Sequence, residues 1–573
     1  MTISTPTIGP TSPDARTRRR VAARWIRRRL LEAALAAGVL AVALAIVTWP
    51  YATVLTKGLP ESIDPMFSIW RLSWFAHAVR AHISIANANI FYPETGTFAF
   101  SDMMLLLDGV AAPLLWAGLD KVVVYNVLLA GGFISSGLAL FMAARALHVP
   151  SQAAIVGAAI FTLAPYRIEH IMHLELQWLA GAVAAIASTV LLAVRPSRRA
   201  ALALAGSLVL QFLTSIYYAV FILPLLGAIW LGCIPVMPNR PRTLRLTLVG
   251  GVLAGVLISP VALLHLRQGV QLGDRQIEEV RAFSATAADY LSTPDENRLY
   301  GRQTDDIAAT ERRLFPGTLA IVLAVVGLFS RRRRMVFVTI VFIALALELS
   351  LGTNGTLYPY LYRWFQPWRG LRAPARYGAY VLLGISALAT LGWERLLPPK
   401  PNTTDSTAAW RLSRTARENL LTILLIAALC VEYRSPQRLW YVGATPAIYT
   451  AINMWPPGII LEYPTPSKDF IPWLDADYAF WSTTHWRPLI NGYSGYYPAS
   501  YLERAARLER FPSDDTLAEL RALGVRYVII HPWAIDQPRR AQVLQTLALR
   551  NDVKHIGSFS DWRASAELFE LSP

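Results

Sequence analysis

Long apolar runs broken by short polar gaps occupy the chain as far as Arg434. Runs of roughly 17–25 apolar residues cross a bilayer as helices. The pattern predicts about eleven such helices, some of them short. They lie near Leu30–Tyr51, Val122–Ala144, Ala153–Pro165, Gln177–Val194, Ala200–Ser215, Tyr217–Pro235, Leu246–His265, Phe315–Ser330, Met335–Leu351, Tyr377–Leu397 and Leu420–Val431. After Arg434 the pattern changes. The tail contains GIILEYP and RPLINGYSGYYP, VRYVIIHP reads as a buried strand, and HIGSFS with ELFEL reads as a closing hairpin. A helical pattern runs from Ser500 to Leu523, and Pro538 opens another helix to about Leu549. The expected fold class is an α-helical polytopic membrane protein with a C-terminal α+β domain. Its parts are a basic N-terminus at 1–29, a transmembrane domain at 30–434 with a long first loop at 52–121, and the tail at 435–573.

Composition agrees with a membrane chain. Of 573 residues, 54% are hydrophobic and 16% charged, where a soluble domain carries about 25% charge. Mean hydropathy is +0.37. The net charge is nonetheless +16, from 54 Lys and Arg against 38 Asp and Glu. Its location explains it. RTRRR and WIRRR precede the first apolar run. Arg145, Arg195, Arg198, Arg199, Arg240, Arg242, Arg245, Arg331 to Arg334, Lys400, Arg411, Arg414 and Arg417 fall in alternate gaps. Positive charge concentrates in cytoplasmic loops. The N-terminus is therefore expected in the cytoplasm, with the tail exoplasmic. Nucleic-acid binding is not needed to explain the charge. The N-terminal apolar run is expected to be a retained span and not a cleaved signal. Cys233 and Cys430 read as packing residues, and Glu32 as a snorkelling acid. No phosphate-binding loop or dinucleotide fingerprint is present in a suitable context.

The polar residues of the other gaps carry the candidate chemistry. In the first loop, Phe67, Trp70 and Trp74 recur at helical spacing and predict a helix lying on the membrane surface. Asp64, before Pro65, reads either as the cap of that helix or as a catalytic acid. Glu94 reads as a turn acid or a substrate contact, and Asp102 as a cap of the next helix or a substrate contact. PYRIEHIMHLELQW brings Arg167, Glu169, His170, His173 and Glu175 to one short loop. These can serve as an interfacial polar patch, a divalent-cation site or a phosphate contact. YRWFQPWRGLRAPARYG carries Arg363, Arg369, Arg372 and Arg376 on the Arg-poor side. The group reads as an anchor to lipid headgroups or as a carrier-phosphate site, with Arg372 and Arg376 the preferred phosphate pair, because guanidinium matches phosphate oxygens in a fork. Trp364, Trp368 and Tyr377 read as interface anchors or sugar stackers. Glu278, Glu279, Asp289 and Asp295 read as a solvated face or acceptor contacts. His485, Trp486, Asn491 and Tyr493 read as packing of the tail or acceptor recognition.

With these features the chain resembles the GT-C superfamily of integral-membrane glycosyltransferases. The resemblance rests on IDPMFSIWRLSW, NIFYPETGTFAFSD, APYRIEHIMHLELQW, ERRLFPG, RGLRAPARYG and STTHWRPLINGYSGYYP. It implies transfer of a sugar from a polyprenyl-phosphate donor to a glycan, lipid or protein acceptor of the cell envelope. It also implies Asp64 as the general base. Many members carry an acidic pair there, whereas here the neighbour is Pro65, so a divalent cation stays an open cofactor. Two other classes are weighed: a transporter or lipid flippase, and a non-catalytic membrane subunit whose tail binds a partner. Few acids inside the apolar runs and the lack of an internal repeat count against the transporter.

Overall fold

The computed structural model describes residues 15–301, 307–398, 408–466 and 473–572. Residues 1–14 and the loop 399–407, with Lys400, lie outside the described residues. In chain order the main helices are α1 Ala15–Val47, α2 Ile63–Ala81, α3 Leu105–Trp116, α4 Lys121–Ala146, α5 Ser151–Leu163, α6 Ala180–Val194 and α7 Arg198–Thr214. They continue as α8 Ile216–Gly232, α9 Arg240–Leu272, α10 Thr318–Leu328, α11 Arg333–Ser350, α12 Gly378–Leu396, α13 Ala408–Glu432 and, in the tail, α14 Trp473–Ser482. Each of the eleven apolar windows contains one of these helices. Four stretches among the described residues are long and apolar enough to cross a membrane: Arg27–Val47, Lys121–Ala146, Glu175–Val194 and Arg240–Val270. Local signals place several boundaries. Asp120 accepts from the Val122 and Val123 amides at the start of α4, and Ser197 and Asn239 cap α7 and α9.

Polar contacts define two ends of the bundle. At one end Arg145 pairs with Glu32 at 2.9 Å, and Arg332 pairs with Glu394 at 2.9 Å while donating to Leu147 O. Glu32 is thus an ion-paired clamp between α1 and α4, which corrects the snorkelling expectation. At the opposite end Glu432, closing α13, accepts from the Leu319 amide of α10 at 3.2 Å. The Ser435 amide there donates to Val47 O of α1. The first loop and the tail both sit at this second end.

The loop and the tail are built together. A short antiparallel pair, β1 Gly58–Leu59 with β2 Trp440–Tyr441, ties them. The tail carries a four-stranded sheet of β3 Ile459–Tyr463, β4 Val525–Ile530, β5 Val553–Ser560 and β6 Ser565–Leu571, in the order β3-β4-β6-β5. Only β3 and β4 are parallel. Strand residues Leu461, Val528 and Phe569 pack with Leu508, Leu517 and Val543 in a core of their own. The single helix expected from Ser500 to Leu523 is two, Ala499–Leu508 and Asp514–Ala522, because Pro512 in the intervening turn cannot continue a helix. The predicted surface helix α2 is also different. Phe67, Trp70 and Trp74 are all buried, and α2 packs on α14 of the tail. Its aromatic face meets protein, with the Trp70 indole donating to Asn89 Oδ1 and the Trp74 indole to Ile85 O.

Candidate active site

Asp64 stands in the first turn of α2, but it is not the cap. The Glu61 carboxylate accepts from the Ile63 amide at 2.8 Å and the Asp64 amide at 3.3 Å, satisfying the open end of the helix. This leaves the Asp64 carboxylate for side-chain partners. Its Oδ1 accepts from the Tyr493 hydroxyl at 2.9 Å. Its Oδ2 lies 3.2 Å from His173 Nε2, and about a third of the side chain, 32%, is exposed. Burial alone raises this carboxyl. The hydrogen bond and charge of His173, the Tyr493 hydroxyl and the more distant Arg372 outweigh it and hold Asp64 below its usual range. His173 shifts the other way: burial lowers it, but Asp64 more than compensates and leaves it raised. Glu61, pushed up by burial and by the Asp64 charge, is the weaker acid of the two.

Behind His173 lies a buried relay of charge. The rings of His173 and His170 are 5.5 Å apart. His170 Nε2 is 3.9 Å from Glu311, and Glu311 takes the Arg376 guanidinium in a fork, with Nε to Oε2 at 3.0 Å. Arg376 and Glu311 are both buried. Burial works to raise Glu311, but the charges of Arg376 and His170 hold it well below the usual range. Burial drives His170 down to about 3, so it is neutral. Arg376 is therefore already neutralised. This corrects the preferred phosphate pair, because only Arg372 keeps a usable face. Its side chain is 35% exposed and rests 3.5 Å from Glu279 and against the Phe283 ring. The Arg372 amide donates to Tyr217 OH, and Arg376 stacks on the same tyrosine ring, so both arginines hang on one residue.

The other predicted site residues are accounted for by protein partners. Arg167 is 1% exposed, donates to Gln177 and to Phe161 O, and stacks on Phe133 and Phe161, so it faces the core and not a ligand. Glu169 meets Arg313 at 2.6 Å, and Arg313 also meets Asp295 at 2.8 Å. Asp102 caps a helix, but a different one: it accepts from the Ile216 amide of α8 at 3.0 Å and from Ser215. Burial, with the Glu175 charge, raises it to about 6. Glu94 accepts from Ser500 at 2.6 Å and binds the loop to the tail. Among the expected anchors, Trp364 is exposed, whereas Trp368 and Tyr377 are buried. The third-loop acids are paired as well: Glu279 with Arg275 and Arg372, Asp289 with Thr286. Asn491 is buried on Glu462 and Asp475, and Tyr493 turns out to be a site residue.

The structure thus joins Asp64, His170, His173, Arg372 and Arg376 at one end of the bundle. It adds Glu61, Glu311, Tyr217 and Tyr493. ERRLFPG and NGYSGYYP contained two of these, but no local signal paired them with Asp64. Among the described residues no group of three or more His, Cys, Asp or Glu side chains is arranged to hold a metal ion.

No family model and no curated protein matches the chain. Solved structures do. The cryo-EM structure of the arabinofuranosyltransferase AftD from Mycobacteria superposes with a TM-score of 0.59 at 14% identity, covering 94% of this chain and 40% of that one. A structure of a mutant of the same enzyme superposes with a TM-score of 0.58 at 14% identity, covering 95% and 41%. The chain spans about 40% of the length of the solved structures it matches. What the likeness carries is architecture alone: nearly the whole of this chain shares the fold of part of that membrane enzyme.

Proposed function

We propose that the protein is a membrane glycosyltransferase in which Asp64 is the general base. The observation that carries this reading is the Asp64 carboxylate itself: ionised, a third exposed, and aimed by His173 and Tyr493. A sugar acceptor must lose its hydroxyl proton as its oxygen attacks the anomeric carbon, so a carboxylate within hydrogen-bond reach is required. The donor is a polyprenyl-phosphate sugar. Its leaving phosphate needs a positive partner, and Arg372 is the exposed guanidinium near the acid. Arg376 and Glu311 hold the histidines in place, and His170 stays neutral against Glu311.

The site end of the bundle is exoplasmic in this reading, in a bacterial inner membrane. Support comes from the opposite end, where Arg28, Arg29, Arg145, Arg195, Arg240, Arg332 and Arg414 gather, as the positive-inside rule asks of a cytoplasmic face. All eleven bundle helices then count as spans, short ones included. The tail domain, 435–573, roofs the site and contributes Tyr493.

The test is sugar transfer from a radiolabelled polyprenyl-phosphate sugar in membranes containing the protein. Asp64→Asn keeps the hydrogen-bond geometry but cannot take a proton. Transfer is expected to fall by about 10²–10⁴-fold, with the elution profile in detergent unchanged. Wild-type rates from that variant overturn the role of Asp64.

A further inference from the structure

A second cleft opens at the other end of α2. It has a volume of about 440 Å³ and lies between α2, the end of α3 and the turn after α14. His77, Arg80, Trp116, Asp120, Thr484 and Trp486 line it. From Asp64 to His77 the helix rises about 20 Å, so the two places are distinct. Small-molecule sites generally occupy about 300–1,000 Å³.

Its wall is aromatic and rigid. His77 and Trp486 stack with ring centroids 4.4 Å apart and planes 12° apart, and Trp74 backs them at 5.8 Å. Trp116 is 44% exposed, and its indole is fixed by donation to Ala76 O at 3.1 Å. Trp486 is held at φ 55°, in the left-handed region that a bulky residue seldom adopts. The next residue holds it there: Arg487 donates to Pro456 O at 2.8 Å and to Trp455 O at 2.6 Å. Such over-determined backbone clusters where a side chain must be presented.

The polar groups decide the ligand class. Lys121 is occupied, donating to Thr483 at 2.6 Å and lying 3.6 Å over the Phe480 ring. Arg80 is the exposed cation, and Asp120 on the same rim opposes an anion. Aromatic planes with a mixed set of one cation, one carboxylate and a threonine hydroxyl match a neutral saccharide. Its C–H faces stack on rings while its hydroxyls both donate and accept.

We propose that this cleft binds a neutral saccharide, and that it holds a remote stretch of the acceptor glycan while another unit reaches Asp64. The second half of this statement rests on the glycosyltransferase reading. A span of about 20 Å makes the acceptor an oligosaccharide chain and not a single sugar.

The test is tryptophan-fluorescence titration of the detergent-purified full chain with linear arabino-, manno- and gluco-hexasaccharides. At least one is expected to quench saturably, with its midpoint weakened about tenfold in Trp116→Ala and in Thr484→Arg. Thr484→Arg obstructs a half-buried rim position and guards against loss of fold in the tryptophan variant. In the transfer assay, Thr484→Arg is expected to raise KM for the same hexasaccharide. Saturable binding lost in both variants supports the cleft even where no donor gives transfer, an outcome that sinks the glycosyltransferase reading alone. Absence of saturable binding, identical binding by the variants, or binding only to vesicles of anionic phospholipid overturns the cleft proposal.

Discussion

Two of the acid–histidine centres among the described residues differ in nearly everything but residue type. At Asp64, one carboxylate meets one imidazole at 3.2 Å, and both side chains keep some exposure. In the tail sheet, His531 sits between Glu462 and Asp561, 2.6 Å from each, and all three side chains are 0% exposed. Tyr449 and Trp533 complete the second centre by donating to Glu462 and Asp561. The first centre is open to solvent in part. The second is closed off from it. Short buried hydrogen bonds therefore need not mark chemistry; an accessible pair is the better candidate.

The comparison can be broken in four places. The largest effect belongs to Asp64→Asn: a fall of about 10²–10⁴-fold in transfer rate with the unfolding midpoint little changed. A large drop in that midpoint instead makes Asp64 structural, like its counterpart. Next is His531→Ala, which leaves two buried carboxylates facing each other. A loss of about 3–5 kcal/mol is expected, read as a lowered thermal midpoint of the purified protein. His531 also has a pH signature. Burial lowers it, but hydrogen bonds to Asp561 and Glu462 raise it to about 9, against an ordinary 6.5. A raised folded-state value stabilises fully below about pH 6.5 and loses that contribution as pH climbs through about 9. Thermal midpoints measured from pH 6 to 10 should decline for the wild type, with the decline flattened in His531→Ala.

Arg372→Ala comes third. Loss of a charge-assisted contact to the donor phosphate should cost about 1.5–3 kcal/mol, or roughly 10–150-fold in kcat/KM. Arg372→Lys, which lacks the fork, should recover only part of it. An unaffected kcat/KM detaches Arg372 from the site. The smallest effect is expected from Glu94→Ala, about 0.5–1.5 kcal/mol of stability through the lost Ser500 hydrogen bond. A loss of activity without loss of stability there would return Glu94 to the substrate.

What the sequence reveals and what it hides divide along a physical line. Apolar runs are local, and each predicted window holds a helix whatever its partners. The strand at Val525–Ile530 was equally readable, since buried strands are short apolar runs. Caps were half legible. Asp102 does cap a helix, but one that begins at Ile216, and Glu61 took the duty expected of Asp64. Local pattern names a residue able to cap without naming which amide it reaches. The site itself was legible as residue types and not as pairs. Tyr493 lies 429 positions from Asp64, and Glu311 lies 65 from Arg376. Periodicity has no reach over such separations. The burial of Trp70 and Trp74 was missed for the same reason, because a face that suits lipid also suits the tail that covers it.

The hydrogen bond from Tyr493 to Asp64 also has a meaning in time. The acid lies just beyond the first membrane helix, and the hydroxyl that steadies it lies beyond the last one. During synthesis the carboxylate is present long before its second partner emerges. The bundle can insert and close while its reactive group is still poorly aimed. In the glycosyltransferase reading, the base is fully aimed only once the tail has folded down onto it.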